Sequence, residues 1–332
     1  MDIVSLGEVL IDMFPAEVGR RLVDVTSFHP KPGGAPANVA VAARRLGAES
    51  AFIGKVGDDA FGEFLIDTLR REGVETRGMR VDEDARTTMA FIALPDENHA
   101  EFVFYRNPGA DMMLRADELD ETLLHEASAL HIGSISLIAE PGRSATLHAV
   151  ETAKAGGALI SFDVNYRPSL WPDPETAAET ITAMLGHVHL VKVNEDELVL
   201  LTGTDDPVVG SQMLLDRGPL ACLVTQGAKG SFMRVGEEVA FVPAFPVETV
   251  DAVGCGDAFM AGVLVCLAGH KSPADIPGQS ATKWSDRLNW MTLRRSLRYG
   301  SAVGALTAQK HGVIPALPTA DEVDAFLAAV AS

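Results

Sequence analysis

Short apolar runs alternate with longer segments of helical periodicity along most of this chain. The runs at residues 2–7, 50–54, 129–133, 158–164, 188–193 and 220–225 have the length and composition of buried strands. Segments with helical periodicity lie between or after them, at residues 36–46, 61–72, 141–155, 175–185 and 258–267. This alternation predicts an α/β fold in which helices cover both faces of a mostly parallel sheet.

Two stretches, residues 12–32 and 86–106, lack helical periodicity. Residues 87–94 and 101–106 are predicted to pair as strands around a turn at residues 95–98. The two stretches are predicted to meet as a small second sheet; the alternative is a pair of edge hairpins without a role. Residues 270–284 are polar and contain Pro and Gly, which predicts a surface loop before a last pair of helices.

Composition narrows the possible partners and the compartment. The chain of 332 residues has 27 Lys and Arg against 46 Asp and Glu, a net charge of -19, which excludes nucleic acid and anionic membranes as expected partners. The amino terminus has no signal-peptide pattern, and no apolar run approaches the ~18–20 residues that span a bilayer. Cys222, Cys255 and Cys266 form neither a disulfide framework nor a zinc motif, so we expect a cytoplasmic protein.

A glycine-rich turn at residues 251–259 (DAVGCGDAF) precedes an apolar helical segment. Glycines allow N–H groups to converge at a helix amino terminus, where the helix dipole favours anions such as phosphate. Asp257, at the start of that helix, suits a general base that accepts a proton from an attacking hydroxyl. The alternative is a tight turn at Gly254 and Gly256 with Asp257 as a helix cap. The chain has no P-loop and no dinucleotide fingerprint, which argues against an NAD-dependent enzyme.

This turn resembles the second signature of the PfkB family of carbohydrate kinases, D-T-x-G-A-G-D, with Ala in place of Thr and Cys in place of Ala. The resemblance implies that backbone N–H groups of Gly254, Cys255 and Gly256 bind the transferring phosphoryl group. It also implies that Asp257 is the catalytic base and that a K⁺ ion binds near Asp251. Cys255 raises a separate hypothesis of a reactive thiol, since thiol pKa values fall at helix amino termini; the alternative is a small packing residue.

Other motifs follow in the family's order through residue 318, beginning with G-G-x-x-x-N at residues 33–38. The sugar ligands that the resemblance implies are Asp12, Gly33, Gly34, Asn38, Tyr105, Arg106, Asp163 and Asn165. Arg167, in the run DVNYR, is expected to neutralise charge on the moving phosphate or, alternatively, to form a surface salt bridge.

The nucleotide side is carried by three further segments. Asn194 and Glu197 match the family's N-x-x-E, which implies Mg²⁺ held largely through water; alone, this string would be an acidic helix start. Thr225, Gly227 and Gly230 are expected to approach the ribose and phosphates of ATP, and Ser301 the adenine.

Taken together, the resemblance implies a single ribokinase-like three-layer α/β/α domain over residues 1–332, with a lid from residues 12–32 and 86–110. The expected reaction transfers the ATP γ-phosphoryl group to a primary hydroxyl of fructose. The first alternative is 2-keto-3-deoxygluconate, whose kinases have an aromatic–Arg pair like Tyr105-Arg106 that helps to bind the acid. Ribose and nucleosides follow, and a non-catalytic sugar or nucleotide sensor is the alternative from a different class. A homodimer formed through the lid is also implied.

Overall fold

The computed structural model describes residues 1–17, 19–93, 101–269 and 284–331. The strands are, in chain order, β1 (Ile3–Leu6), β2 (Leu10–Pro15), β3 (Phe28–Gly33), β4 (Ser50–Gly57), β5 (Glu75–Asp82), β6 (Met89–Ala93), β7 (Glu101–Tyr105), β8 (Ala129–Gly133), β9 (Leu159–Asp163), β10 (Leu190–Asn194), β11 (Ala221–Thr225), β12 (Gly230–Val235) and β13 (Glu238–Pro243). The helices are α1 (Ala35–Arg45), α2 (Ala60–Arg71), α3 (Glu121–His125), α4 (Gly142–Ala155), α5 (Pro174–Leu185), α6 (Glu195–Thr202), α7 (Pro207–Leu215), α8 (Cys255–Ala268), α9 (Trp284–Arg287), α10 (Trp290–Ala308) and α11 (Ala320–Ala331).

The main sheet lies between two layers of helices. Within the described residues it has nine strands, in the order β13-β12-β11-β10-β9-β8-β1-β4-β5. The strands β11, β10, β9, β8, β1, β4 and β5 run parallel to one another. Strands β12 and β13 add an antiparallel edge next to β11. Alternate side chains of β1 point to opposite faces: Ile3 packs in the apolar cluster of α1, α8 and α10, and Val4 in that of α4 and α5. The predicted three-layer α/β fold is therefore confirmed.

A second, smaller sheet stands beside the main one and is called the lid sheet below. In the described part of the chain it has four strands in the order β3-β2-β6-β7. Each hairpin is antiparallel, and the two hairpins join through a parallel pairing of β2 with β6. The predicted second sheet is confirmed, while the turn at residues 95–98 and the loop at residues 270–283 lie outside the described residues. Trp284, predicted as the end of that loop, instead begins α9.

Helix α8 is buried on all sides, as a helix without a polar face must be. Every residue from 257 to 267 is buried. Its backbone lies close to α10, because a Cβ added at Gly262 would lie only 2.8 Å from the Gly300 Cα atom. This packing fixes the amino terminus of α8 relative to the main sheet. Of the helices described, none is long and apolar enough to cross a membrane.

Candidate active site

The predicted catalytic turn forms the amino terminus of α8. Gly254 is the residue before the helix and has a left-handed backbone, with φ of 79°. A side chain there would be strained and would also overlap Val313, so this position requires glycine. The turn is fixed from behind by Asp251, whose Oδ1 accepts from Val253 N at 3.0 Å and Oδ2 from Gly312 N at 3.0 Å. The N–H groups at the start of α8 are thereby held ready for an anion.

Asp257 lies on the first turn of α8 and is only 8% exposed. Its Oδ2 accepts a hydrogen bond from Asn38 Nδ2 at 2.8 Å, and its Oδ1 accepts one from Asn165 Nδ2 at 3.4 Å. Burial raises the pKa of Asp257 from 3.8 to about 6, against the opposing effect of the Asn38 hydrogen bond. A carboxylate with this pKa is ionised at neutral pH and is a stronger base than an exposed Asp.

Asn165 supports this arrangement with an unusual backbone. Its φ is 42°, a left-handed conformation that Asn tolerates better than most residues. Its N–H donates to Asp163 Oδ1 at 3.2 Å, which closes a short turn directly after β9. The turn aims the amide of Asn165 at Asp257.

A buried ion pair lies directly beneath the catalytic turn. Asp163 and Lys192 are paired neighbours on β9 and β10, and Lys192 Nζ lies 3.1 and 3.0 Å from the two Asp163 oxygens. A Cβ added at Gly256 would lie 3.3 Å from the same Nζ, so the ammonium group is close to the turn. Burial acts to lower the pKa of Lys192, but Asp163 and Glu197 outweigh it and the net shift is upward. Sequence reasoning missed Lys192, although a lysine inside the apolar run LVKVN signals a buried, paired cation.

Arg167 lies near two of the buried carboxyl groups of the site, Asp12 and Asp257. It forms no ion pair in the part of the chain that the structure describes, and its Nη1 donates only to the Tyr166 carbonyl, at 3.2 Å. Its charge acts to lower the pKa of Asp12 and of Asp257, so it is near both carboxylates. The surface salt bridge considered as its alternative is absent from the described residues.

The sugar-binding motif predicted at residues 33–38 runs from the end of β3 into the first turn of α1 and packs against Glu8 and Asp12. A Cβ at Gly33 would overlap the Asp12 carboxylate, so the glycine lets that carboxylate lie against the backbone. Gly34, with φ of 105°, fits equally closely against the Glu8 carbonyl. Burial raises the pKa of Asp12 to about 7, with the charge of Arg167 opposing it.

Glu8 is a buried member of this site to which sequence reasoning assigned no role. Its Oε1 accepts from Ala35 N at 3.1 Å and so caps α1, whose preceding residue is a glycine without a side chain to do so. Glu8 Oε2 and Asn38 Oδ1 are both buried and have no hydrogen-bond partner among the described residues. Burial raises the pKa of Glu8 to about 7. Both oxygens can therefore still accept a hydrogen bond.

Tyr105 and Arg106, predicted as a pair of sugar ligands, are separated by the structure. Tyr105 is 63% exposed and aligns across the lid sheet with Met89, whereas Asp12 aligns with Ala90. Because side chains alternate along a strand, Tyr105 lies on the face of the lid sheet opposite to Asp12. The structure therefore does not bring Tyr105 to the sugar side. Arg106 is buried and forms an ion pair with Asp111 at 2.6 Å, a partner that sequence reasoning also missed.

The nucleotide side lies along the carboxyl ends of β10 and β11. Asn194 and Glu197 cap α6 reciprocally, and Glu197 Oε1 also accepts from Tyr166 N at 2.8 Å. Both Glu197 oxygens are thus engaged, and the described residues contain no cluster of three metal-ligating side chains. Mg²⁺ near these residues would therefore be held through water and not by direct ligation.

The other predicted nucleotide ligands lie at the same edge or on α10. Thr225 ends β11, and Gly227 and Gly230, with φ of 54° and 128°, shape the turn into β12. Ser301 is half-buried on α10.

The fall in the pKa of the Cys255 thiol that was expected at a helix amino terminus is not found. Burial raises the pKa of Cys255 to about 12, and the neighbouring carboxylates of Asp251 and Asp257 add to the shift. These effects outweigh the helix dipole. The position is that of a small packing residue, as the alternative stated.

Comparison with known proteins identifies relatives along the whole chain. The profile described as "pfkB family carbohydrate kinase" matches residues 1–320. The chain is 44% identical to "Fructokinase-1" of Zea mays over 322 residues, which is 97% of this chain and 96% of the relative. The structure of a fructokinase with bound ATP from Xylella fastidiosa superposes with a TM-score of 0.89 at 32% identity, covering 100% and 99% of the two chains. A fructokinase from Vibrio cholerae O395, solved with fructose, ADP and calcium ion bound, superposes with a TM-score of 0.85 at 32% identity, covering 98% and 99%.

Proposed function

This chain belongs to the PfkB family of carbohydrate kinases, and we propose that it is an ATP-dependent kinase that converts fructose to fructose 6-phosphate. The observation that carries the proposal is the buried Asp257 at the amino terminus of α8, held by Asn38 beside a turn built for an anion. The full-length similarity to fructokinases supports fructose as the sugar.

The proposed reaction is an in-line transfer, which depends mainly on positioning and on stabilisation of charge. Asp257 accepts the proton of the primary hydroxyl, and the N–H groups of Gly254, Cys255 and Gly256 hold the transferring phosphoryl group. Arg167, which has no ion-pair partner among the described residues, adds a positive charge near Asp257. Mg²⁺, when bound with ATP near Asn194 and Glu197, neutralises charge on the phosphates.

The remaining ligands are assigned by their positions at the site. Asp12, Gly33, Gly34 and Asn38 orient the sugar, and Asn165 steers Asp257. Asp163 acts indirectly, because Lys192 engages both of its oxygens. Thr225, Gly227, Gly230 and Ser301 are assigned to ATP, and the loop of Asp251 to a K⁺ ion.

The lid sheet supports two further parts of the proposal. Residues 12–32 and 86–110 cover the sugar within one kinase domain of residues 1–332, and thereby limit ATP hydrolysis by water. On the outer face, Phe28, Phe91 and Tyr105 stack edge to face at 5.1 and 5.2 Å between centroids, and Val103 is 43% exposed. An exposed apolar face of this kind suits a second copy, so we include a homodimer through the lid.

A cytoplasmic location is part of the same proposal. Cys222 and Cys255 form no disulfide among the described residues, which suits a reducing compartment.

A coupled assay of ADP formation tests the function directly. We expect Mg²⁺-dependent turnover with fructose above that with 2-keto-3-deoxygluconate, ribose or adenosine, and its loss in Asp257→Asn. Turnover only with the keto-acid would overturn the choice of fructose. Binding of sugar without turnover would instead indicate a sensor.

A further inference from the structure

Arg106 and Asp111 form a buried ion pair in which both carboxylate oxygens of Asp111 are engaged. Arg106 Nε lies 2.7 Å from Asp111 Oδ2, and Nη2 lies 2.6 Å from the same oxygen. The other oxygen, Oδ1, accepts from Thr88 Oγ1 at 2.5 Å. The two charged side chains are only 4% and 2% exposed. The Asp111 carboxylate therefore neutralises the charge of the guanidinium, and both oxygens of this carboxylate already accept hydrogen bonds.

This pair lies at the sugar side of the site. Arg106 Nη2 also reaches the Ile135 carbonyl, at 3.4 Å, just beyond the carboxyl end of β8, the neighbour of β1 in the main sheet. Both members of the pair affect the pKa of Glu8, the Asp111 charge raising it and the Arg106 charge lowering it. Glu8 in turn holds Ala35, next to Gly33 and Gly34. One cation and two carboxyl groups thus share this side of the site.

We propose that Asp111 is a specificity-determining residue, which binds Arg106 so that the site accepts a neutral ketose and rejects a sugar that carries a carboxylate. The inference rests on the proposed fructose kinase activity and adds the residue that sets its substrate class. A carboxylate substrate needs the guanidinium free, because an ion pair already formed has no net charge to offer. Entry of such a substrate also brings a further negative charge next to the Asp111 carboxylate and the Glu8 carboxyl group, which is a repulsive element against the wrong substrate.

The first test is Asp111→Asn, assayed as kcat/KM for fructose and for 2-keto-3-deoxygluconate. Removing the negative charge frees Arg106 to bind the acid, so the ratio of acid to fructose is expected to rise about tenfold or more, the gain of one charged hydrogen bond. Asp82→Asn is the matched control. It removes a carboxylate from another buried ion pair, with Lys55 at 2.9 Å, and is expected to leave the ratio as in the wild type.

A second variant covers the case in which Asp111→Asn does not fold. Glu8→Gln removes the other carboxyl charge, retains an oxygen that can cap α1, and leaves the ion pair intact. It is expected to raise the same ratio in the same direction. Wild-type activity on fructose with an unchanged ratio in the folded variants overturns the inference and leaves the proposed function standing. A wild type that does not phosphorylate fructose overturns the proposed function itself.

Discussion

Asp257→Asn is expected to abolish catalysis and at the same time to stabilise the fold. The carboxylate is buried, and folding removes it from water while no cation among the described residues contacts it directly. The amide that replaces it has nearly the same shape and can still accept the hydrogen bond from Asn38 Nδ2, but it has no charge to desolvate. Catalysis is lost because an amide accepts no proton, and general-base catalysis contributes about 10²–10⁴-fold.

The magnitude follows from the pKa of Asp257. A rise from 3.8 to about 6 means that ionised Asp257 costs the folded state about 3 kcal/mol at pH 8, at about 1.4 kcal/mol per unit. Because the folded pKa lies above the unfolded one, this cost is complete above about pH 6 and disappears below 3.8. The stability gained by the variant is therefore largest above pH 6 and shrinks as the pH falls towards 4.

Urea unfolding at pH 8 and pH 5, together with the ADP assay, measures both effects. Asp163→Asn is the matched contrast, since the same chemical change there breaks the buried pair with Lys192. That variant is expected to lose about 3–5 kcal/mol, the usual cost of leaving one buried charge unpaired. A variant Asp257→Asn that is no more stable than the wild type at pH 8, or that keeps its activity, would refute the reasoning.

Three further outcomes are expected. The value of kcat for ADP formation falls as the pH drops through about 6, because protonated Asp257 accepts no proton; a flat profile from pH 5 to 8 contradicts this. Cys255 resists iodoacetamide at pH 7.5, where a thiol of pKa about 12 is ionised in fewer than about one molecule in 10⁴; rapid alkylation seen by mass spectrometry would show otherwise. Gly262→Ala loses about 1–3 kcal/mol in urea unfolding, because its Cβ meets Gly300, whereas Gly186→Ala, whose nearest new neighbour is 3.8 Å away, does not. Equal stability of the two alanine variants would show that α8 and α10 can move apart.

The central residues of the site could be predicted because each lies in a short sequence motif, and because the α/β fold brings these motifs together. Asn38 and Asn165 lie 219 and 92 residues before Asp257 in the sequence. Each of the three residues nevertheless follows a glycine-rich turn or the end of a parallel strand. Such positions meet at one edge of an α/β sheet. Strand β5 escaped prediction because charged residues interrupt it and it has no continuous apolar run. Strand β13 has only the short apolar run VAFV and is mostly exposed at the edge of the sheet.

The partners of the charged groups were not predictable in the same way. Arg106 looked available for an acidic substrate, and nothing in the sequence indicates that Asp111, five residues later, turns back to pair with it. Cys255 was placed correctly at a helix amino terminus, but its burial and its two acidic neighbours depend on tertiary packing. Residue type and spacing predicted which groups are present, whereas the fold decides which of them are still free.

The way in which the lid sheet joins the main sheet has a consequence for engineering. In the described chain it joins at four places: between β1 and β2, between β3 and α1, between β5 and β6, and after β7. Glu8, the loop of Gly33 and Gly34, and Arg106 lie at three of these crossings. Exchanging one hairpin with that of another sugar kinase therefore disturbs both the β2–β6 pairing and the sugar ligands. A chimera that is meant to transfer specificity must therefore exchange both hairpins together with the segments that connect them to the main sheet. A chimera with only one exchanged hairpin is expected to have a raised KM for fructose, because its sugar ligands are disturbed.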